Sequence, residues 1–302
     1  MRFRLSCVAI VAALIATACA SASETVEPAT ATDEPPATTS STEASPTTSE
    51  PLVPPTTAAD STTAVPLTGS APPEWLGTRE LPLRPGETNG LAQPTPPELI
   101  DRQLWTVDLL PPPLDDTFVQ QVTVPAPADV IARSTWNESC PIAAEDLAWV
   151  TVSFFGFDHR FHTGELLVHR THAEPIADVF RQLHDMRFPI EEMRVTTRAD
   201  LDAPPTGDSN NTASFVCRPA VNSTSWSQHA LGAAVDINPF HNPYVKEDLV
   251  LPELASAYLD RDRFARGMIH ADVVAAFEAI GWGWGGDWNS ALDWMHFSSS
   301  GG

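Results

Sequence analysis

The sequence predicts an α+β fold: a small antiparallel sheet flanked by helices, behind a disordered N-terminal tether. Three observations carry this. Residues 147–155 (LAWVTVSFF) and 164–169 (GELLVH) are short apolar runs rich in β-formers, the signature of strands. Residues 173–186 place Ile176, Val179, Phe180 and Leu183 on one face of a helix. Strands and helices also follow one another without the regular alternation that builds a doubly wound parallel sheet.

The elements follow in chain order. Residues 1–19 read as a secretory signal: Arg2 and Arg4 are a basic start, and residues 5–15 are apolar apart from Ser6. That run is too short to span a bilayer core of about 30 Å as a stable helix. Cys19 behind small residues reads as a lipidation site, which would leave the protein on the outer face of the cell membrane. Ala16 stands where a lipobox usually has Leu, and simple cleavage after Ala18 or Ala20 is the alternative. Residues 20–71 are mostly Thr, Ser, Pro, Ala and Glu, with almost no large apolar residues and no Lys or Arg between Arg4 and Arg79. Such a stretch buries too little apolar surface to offset its ordering entropy, so it reads as an extended linker.

Residues 72–132 read as a proline-rich arm packing on the next domain. Trp75, Leu76, Leu81 and Leu83 are apolar enough to dock, while the prolines forbid long helices. One short helix is expected at 97–105. Residues 133–302 have globular texture. Beyond the strands and helix above, residues 193–197 read as a strand, and 271–280 as a helix stopped by Gly281.

Composition narrows the function. A formal charge of −22 leaves no basic face for phosphates, so nucleic acid is not the expected partner. Nothing in the pattern calls for a second copy, and a monomer is expected. Cys140 and Cys217 are the only cysteines outside the signal region, and in an exported chain two such residues read as a disulfide.

Two segments carry chemistry. In the first, Ser227-Gln-His229-Ala-Leu-Gly232-Ala-Ala-Val-Asp236, seven residues separate His229 from Asp236. On a continuous helix that is about 10 Å. Two ligands of one zinc need donor atoms within about 4 Å. A helix therefore fails, whereas a turn at Gly232 followed by a strand brings the two together, with Asp236 on one face and Val235 and Ile237 on the core face. In the second segment, Trp284-Gly-Gly-Asp287-Trp288 precedes Asp293-Trp-Met-His296-Phe297. The spacing of Asp293 and His296 lets one bind a metal while the other serves as base to its water.

Together, Ser-x-His-x-x-Gly-x-Ala-x-Asp, then Trp-Gly-Gly-x-Trp and Asp-x-x-His-Phe resemble the D-alanyl-D-alanine carboxypeptidase (VanY-like) family of zinc peptidases. The likeness runs from about Arg133 to Ser298 and includes Cys140-Pro, Phe188-Pro-Ile and Cys217-Arg218. It implies a zinc DD-peptidase-like fold, with Zn2+ held by His229, Asp236 and His296. Asp293 is implied as base and acid, and Arg218 as the group that binds the scissile carbonyl or its oxyanion. The implied substrate is a peptidoglycan stem peptide, cut at D-Ala-D-Ala or at L-Ala-D-Glu.

Other readings stand beside these. Asp287 rivals Asp293 as base, although after two glycines it suits a turn cap. His162, Glu165 and His169 hint at a second metal but read better as exposed strand residues or cleft lining. Trp282, Trp284 and Trp288 suit the core or a cleft wall, with sugar stacking as the alternative. Ser227 lacks a nucleophile elbow and reads as a hydrogen-bonding support. Two functional rivals remain: a wall-binding module that keeps the fold without activity, and a zinc hydrolase of some other peptide.

Overall fold

The computed structural model describes residues 68–301, so the signal, Cys19 and residues 20–67 of the linker lie outside the described residues. The strands are β1 (Gln120–Thr123), β2 (Leu147–Phe155), β3 (Phe161–His169), β4 (Glu192–Met193), β5 (Asn211–Thr212) and β6 (Ala234–Asp236). They continue with β7 (Tyr244–Lys246), β8 (Leu249–Leu251), β9 (Gly283–Trp284), β10 (Leu292–Asp293) and β11 (His296–Ser298). The α-helices are α1 (Ala128–Arg133), α2 (Ala173–Asp185), α3 (Arg198–Asp202) and α4 (Ala271–Glu278). The molecule is a mixed α+β fold with several small sheets rather than one.

Those sheets are β1-β2-β3, β10-β7-β8 and β6-β11-β9, all antiparallel, plus a parallel pair β4-β5. The expected single antiparallel sheet is thus divided, because most strands after β3 are only two or three residues long and each finds a local partner. Helix α2 lays Ile176, Val179, Phe180 and Leu183 on the β2–β3 hairpin, and Val235, Ile237, Phe277 and Phe297 join the same core. Each such side chain contributes about 1.5–3 kcal/mol on full burial. The core face of β6 is therefore buried in the same core as α2 and α4, which fixes where its other face points.

Three expectations are corrected. At 97–105 there is only a 3-10 turn, Pro97–Leu99. Beyond it the chain runs extended beside Ser70, with Ser70 donating to the Gln103 carbonyl and Trp105 to that of Ser70 (2.9 Å each). The strand expected at 193–197 ends at Met193. Arg194 donates instead to Asn211 Oδ1, and Thr197 becomes the N-cap of α3 in a capping box with Asp200. His162 and Glu165 are not exposed strand residues but buried ones. Glu165 takes a bidentate ion pair from Arg133 and a bond from Trp149 Nε1, while the His162 ring bridges Asp108 and Asp158.

Residues of the arm share a second core: Leu81, Leu99 and Leu104 pack with Phe240, Leu254 and Tyr258. Leu83, in contrast, is more than half exposed. At the centre of this contact Arg102 is buried and grips Glu191 with two bonds (2.6 and 2.8 Å), and Asn210 donates to the same carboxylate. Burial pushes His241 down to about 4, and its neutral ring donates from Nε2 to the Arg102 carbonyl at 2.9 Å. Removing one partner of such a pair leaves a buried charge uncompensated. Arg102→Ala is therefore expected to lower the unfolding free energy by about 3–5 kcal/mol, measured by denaturant titration.

Cys140 and Cys217 form a disulfide across a sequence separation of 77 residues. Closing a loop of that length stabilises by about 4 kcal/mol in the chain-entropy account. Reductant, or the double change of both cysteines to Ser, should lower the melting temperature measured by circular dichroism. An unchanged melt would show that the bridge adds nothing. Among the described residues no helix is long and apolar enough to cross a membrane.

Candidate metal centre

Ser227 opens the site by accepting a bond from the His229 amide, which caps the 3-10 turn Gln228–Leu231. Gly232 ends that turn in the left-handed region at φ +62°, and a Cβ there would lie 2.4 Å from the His169 amide nitrogen. Only glycine suits a residue that must both reverse the chain and touch β3. β6 follows directly, between Ala213 on one edge and β11 on the other. The turn-then-strand geometry needed for His229 and Asp236 to converge is therefore present.

His296 sits directly opposite Asp236 in the β6–β11 register. His296 Nδ1 is 3.0 Å from Asp236 Oδ1, His229 Nε2 is 3.1 Å from Asp236 Oδ2, and the two imidazole nitrogens are 3.1 Å apart. His229 donates from Nδ1 to the Ser214 carbonyl at 2.5 Å. That bond fixes the tautomer and turns the Nε2 lone pair toward the other two groups. Burial opposes ionisation of Asp236, yet the His229 and His296 rings hold its carboxyl well below the usual carboxylate range.

These residues fit a zinc ion. Bonds of about 2.0–2.1 Å in a tetrahedral site hold neighbouring donors about 3.3 Å apart, close to the spacings here. Two imidazoles and a carboxylate are also a donor set that leaves one position open for catalysis.

Asp293 lies at the edge of the same cleft, a space of about 360 Å³ that His229, Asp236, His296 and Arg218 also line. Its partner in β7 is Tyr244, and Gly285 is pressed so closely against it that a Cβ would fall 2.6 Å from the Asp293 carbonyl oxygen. Asp293 Oδ1 is buried with no hydrogen-bond partner among the described residues. Burial, helped by the Asp236 carboxylate, pushes the Asp293 carboxyl up to about 7, against the pull of His296 and Arg218. Asp287, in contrast, is exposed on the 3-10 turn Gly285–Asp287 and does not line the cleft.

Arg218 follows Cys217 of the disulfide, and its Nη1 donates to the neighbouring Pro219 carbonyl (3.1 Å). Of the tryptophans, Trp282 is buried and Trp284 stacks on Phe297, whereas Trp288 lines the cleft with its ring 5.4 Å from that of His296. His169 bonds Thr171 and stays apart from His229, Asp236 and His296.

Residues 221–299 match the family model described as D-alanyl-D-alanine carboxypeptidase. This is the family that the two motifs resemble. The carboxypeptidase match spans well under half of the chain, yet it holds His229, Asp236, Asp293 and His296. Arg218 falls just outside it. No curated protein and no solved structure matches the chain.

Tyr244 and Lys246 also line the cleft, and sequence reasoning missed both. They reach it because β7 pairs with β10, a contact that no local pattern announces. The available signal was rarity: the chain has two tyrosines and one lysine.

Proposed function

We propose that this chain is a zinc-dependent peptidase of zinc DD-peptidase-like fold that hydrolyses peptidoglycan stem peptides at D-Ala-D-Ala or L-Ala-D-Glu bonds. One observation carries the reading: each pair among His229, Asp236 and His296 is in contact at 3.0–3.1 Å, one Asp236 oxygen on each ring, in the cleft that also holds Asp293. The family match over that same segment supports it.

Bound there, zinc would supply Lewis acidity, polarising the substrate carbonyl and bringing the pKa of water toward 7. Asp293 takes a proton from the attacking water onto its carboxylate and later returns it to the leaving amine. Arg218 donates to the oxyanion, a contribution worth about 3 kcal/mol when one such donor is lost. His229 is kept in register by Ser214, so its orientation is set before substrate arrives.

Assaying the purified protein on defined stem peptides, with chelator and with restored zinc, tests the reading. Cleavage that vanishes on chelation and returns with zinc supports it. Zinc binding with no cleavage of either bond favours a wall-binding module of the same fold.

The exported, membrane-facing location is part of this proposal and rests on residues 1–20 and the disulfide. If Cys19 carries lipid, Cys19→Ala should move the protein from the membrane fraction to the medium. Unchanged fractionation would favour simple cleavage.

A further inference from the structure

The chain has one lysine, and it lines the cleft. Lys246 is the last residue of β7, two positions beyond Tyr244, so both side chains leave the same face of the strand. Asp293 lies directly opposite Tyr244 and projects to that face as well. Two residues along a strand is about 7 Å, which is the offset of Lys246 along β7 from the Tyr244–Asp293 pair.

The surrounding charges single out this group. The cleft continues past the metal centre into a second lobe of about 620 Å³, and the two lobes share Arg218, Asp236, Leu251 and Met295. Cations of the second lobe are already neutralised, Arg102 by Glu191 and Arg194 by Glu192 and Asp200. Asp248, close to Lys246 in the hairpin turn, is taken by Arg84. The Lys246 side chain has no ion pair or hydrogen bond among the described residues, its backbone alone pairing with Leu249. Of the charged groups in the first lobe, Asp236, Asp293 and Arg218 have roles in the proposed reaction, and Lys246 has none.

We propose that Lys246 receives a free carboxylate of the substrate, on the residue that departs as the amine product. The inference rests on the peptidase reading and adds an orientation: the departing residue lies in the first lobe and the rest of the stem in the second. Both candidate bonds supply such a group. In D-Ala-D-Ala it is the terminal carboxylate, and in L-Ala-D-Glu it is the α-carboxylate left free when D-Glu is linked through its side chain. An exposed lysine at a hairpin end is otherwise merely a solubilising charge, which would show no preference for either peptide.

The test uses four peptides: a D-Ala-D-Ala peptide as free acid and as terminal amide, and an L-Ala-D-Glu peptide with its α-carboxylate free or amidated. Binding to the zinc-loaded, turnover-blocked Asp293→Asn protein is followed by the fluorescence of Trp226 and Trp288, which line the lobe. The free acid of one pair should bind about fivefold more tightly than its amide, as suits an exposed charge pair, and less so in high salt. Which pair shows the preference identifies the source of the carboxylate. Lys246→Gln should collapse the preference and Lys246→Arg should keep it. The same free acid should slow acylation of Lys246 by an amine reagent, read by mass spectrometry. A preference that survives Lys246→Gln, one that follows Arg218→Gln instead, or no binding of any peptide overturns the proposal. A Lys246-dependent preference in a protein that, with Asp293 intact and zinc present, cuts nothing would sink the peptidase reading alone.

Discussion

Replacing His296 by alanine is expected to abolish stoichiometric zinc binding and, with it, peptide hydrolysis. His296 is buried, and its Nδ1 lies 3.0 Å from Asp236 Oδ1 and 3.1 Å from His229 Nε2. Loss of a mere supporting partner costs about 10- to 100-fold in metal affinity, so loss of a direct ligand should exceed that. The change leaves the β6–β11 pairing and the stack of Phe297 on Phe277 untouched, so the protein should still fold. Metal analysis after desalting, beside a thermal melt, separates the two effects. Full zinc content with normal turnover in a folded variant would remove His296 from the ligand set.

Asp293→Asn should behave oppositely: zinc stays and turnover goes. Asparagine keeps the shape that Gly285 and Tyr244 enclose, but its side chain cannot accept the proton. Losing a positioned general base costs about 10²- to 10⁴-fold in rate. The loss should fall on kcat, because the carboxylate acts on the water rather than holding the peptide. Asp287 is the control. It is exposed and outside the cleft, so Asp287→Asn should remain active. Activity in Asp293→Asn, together with a dead Asp287→Asn, would show that the base has been misassigned.

Much of the candidate site was legible because its geometry is local. The Ser227 cap, the glycine turn at 232 and the short strand to Asp236 all follow from propensities acting over a few residues. So do β2, which spans the expected 147–155, and α2, which ends one residue before the expected limit. What was misread failed for a different reason. Arg102 and Glu191 pair across 89 residues, and that buried pair, with the extended pairing to Ser70, replaces the helix expected at 97–105. His162 looked like an exposed strand residue because its partners, Asp108 and Asp158, come from outside the strand.

By itself, then, the sequence determined the longer elements, β2, β3, α2 and α4, and the two motifs: local spacing, capping and side-chain alternation are written within one turn or one strand. The tertiary structure alone decided what faces the candidate metal centre from elsewhere. It folded the β7–β8 hairpin onto β10, set Tyr244 beside Asp293, and turned the single lysine into the cleft. Such pairings depend on many weak burial and loop-closure terms summed over the whole chain, and no short window of sequence contains that sum.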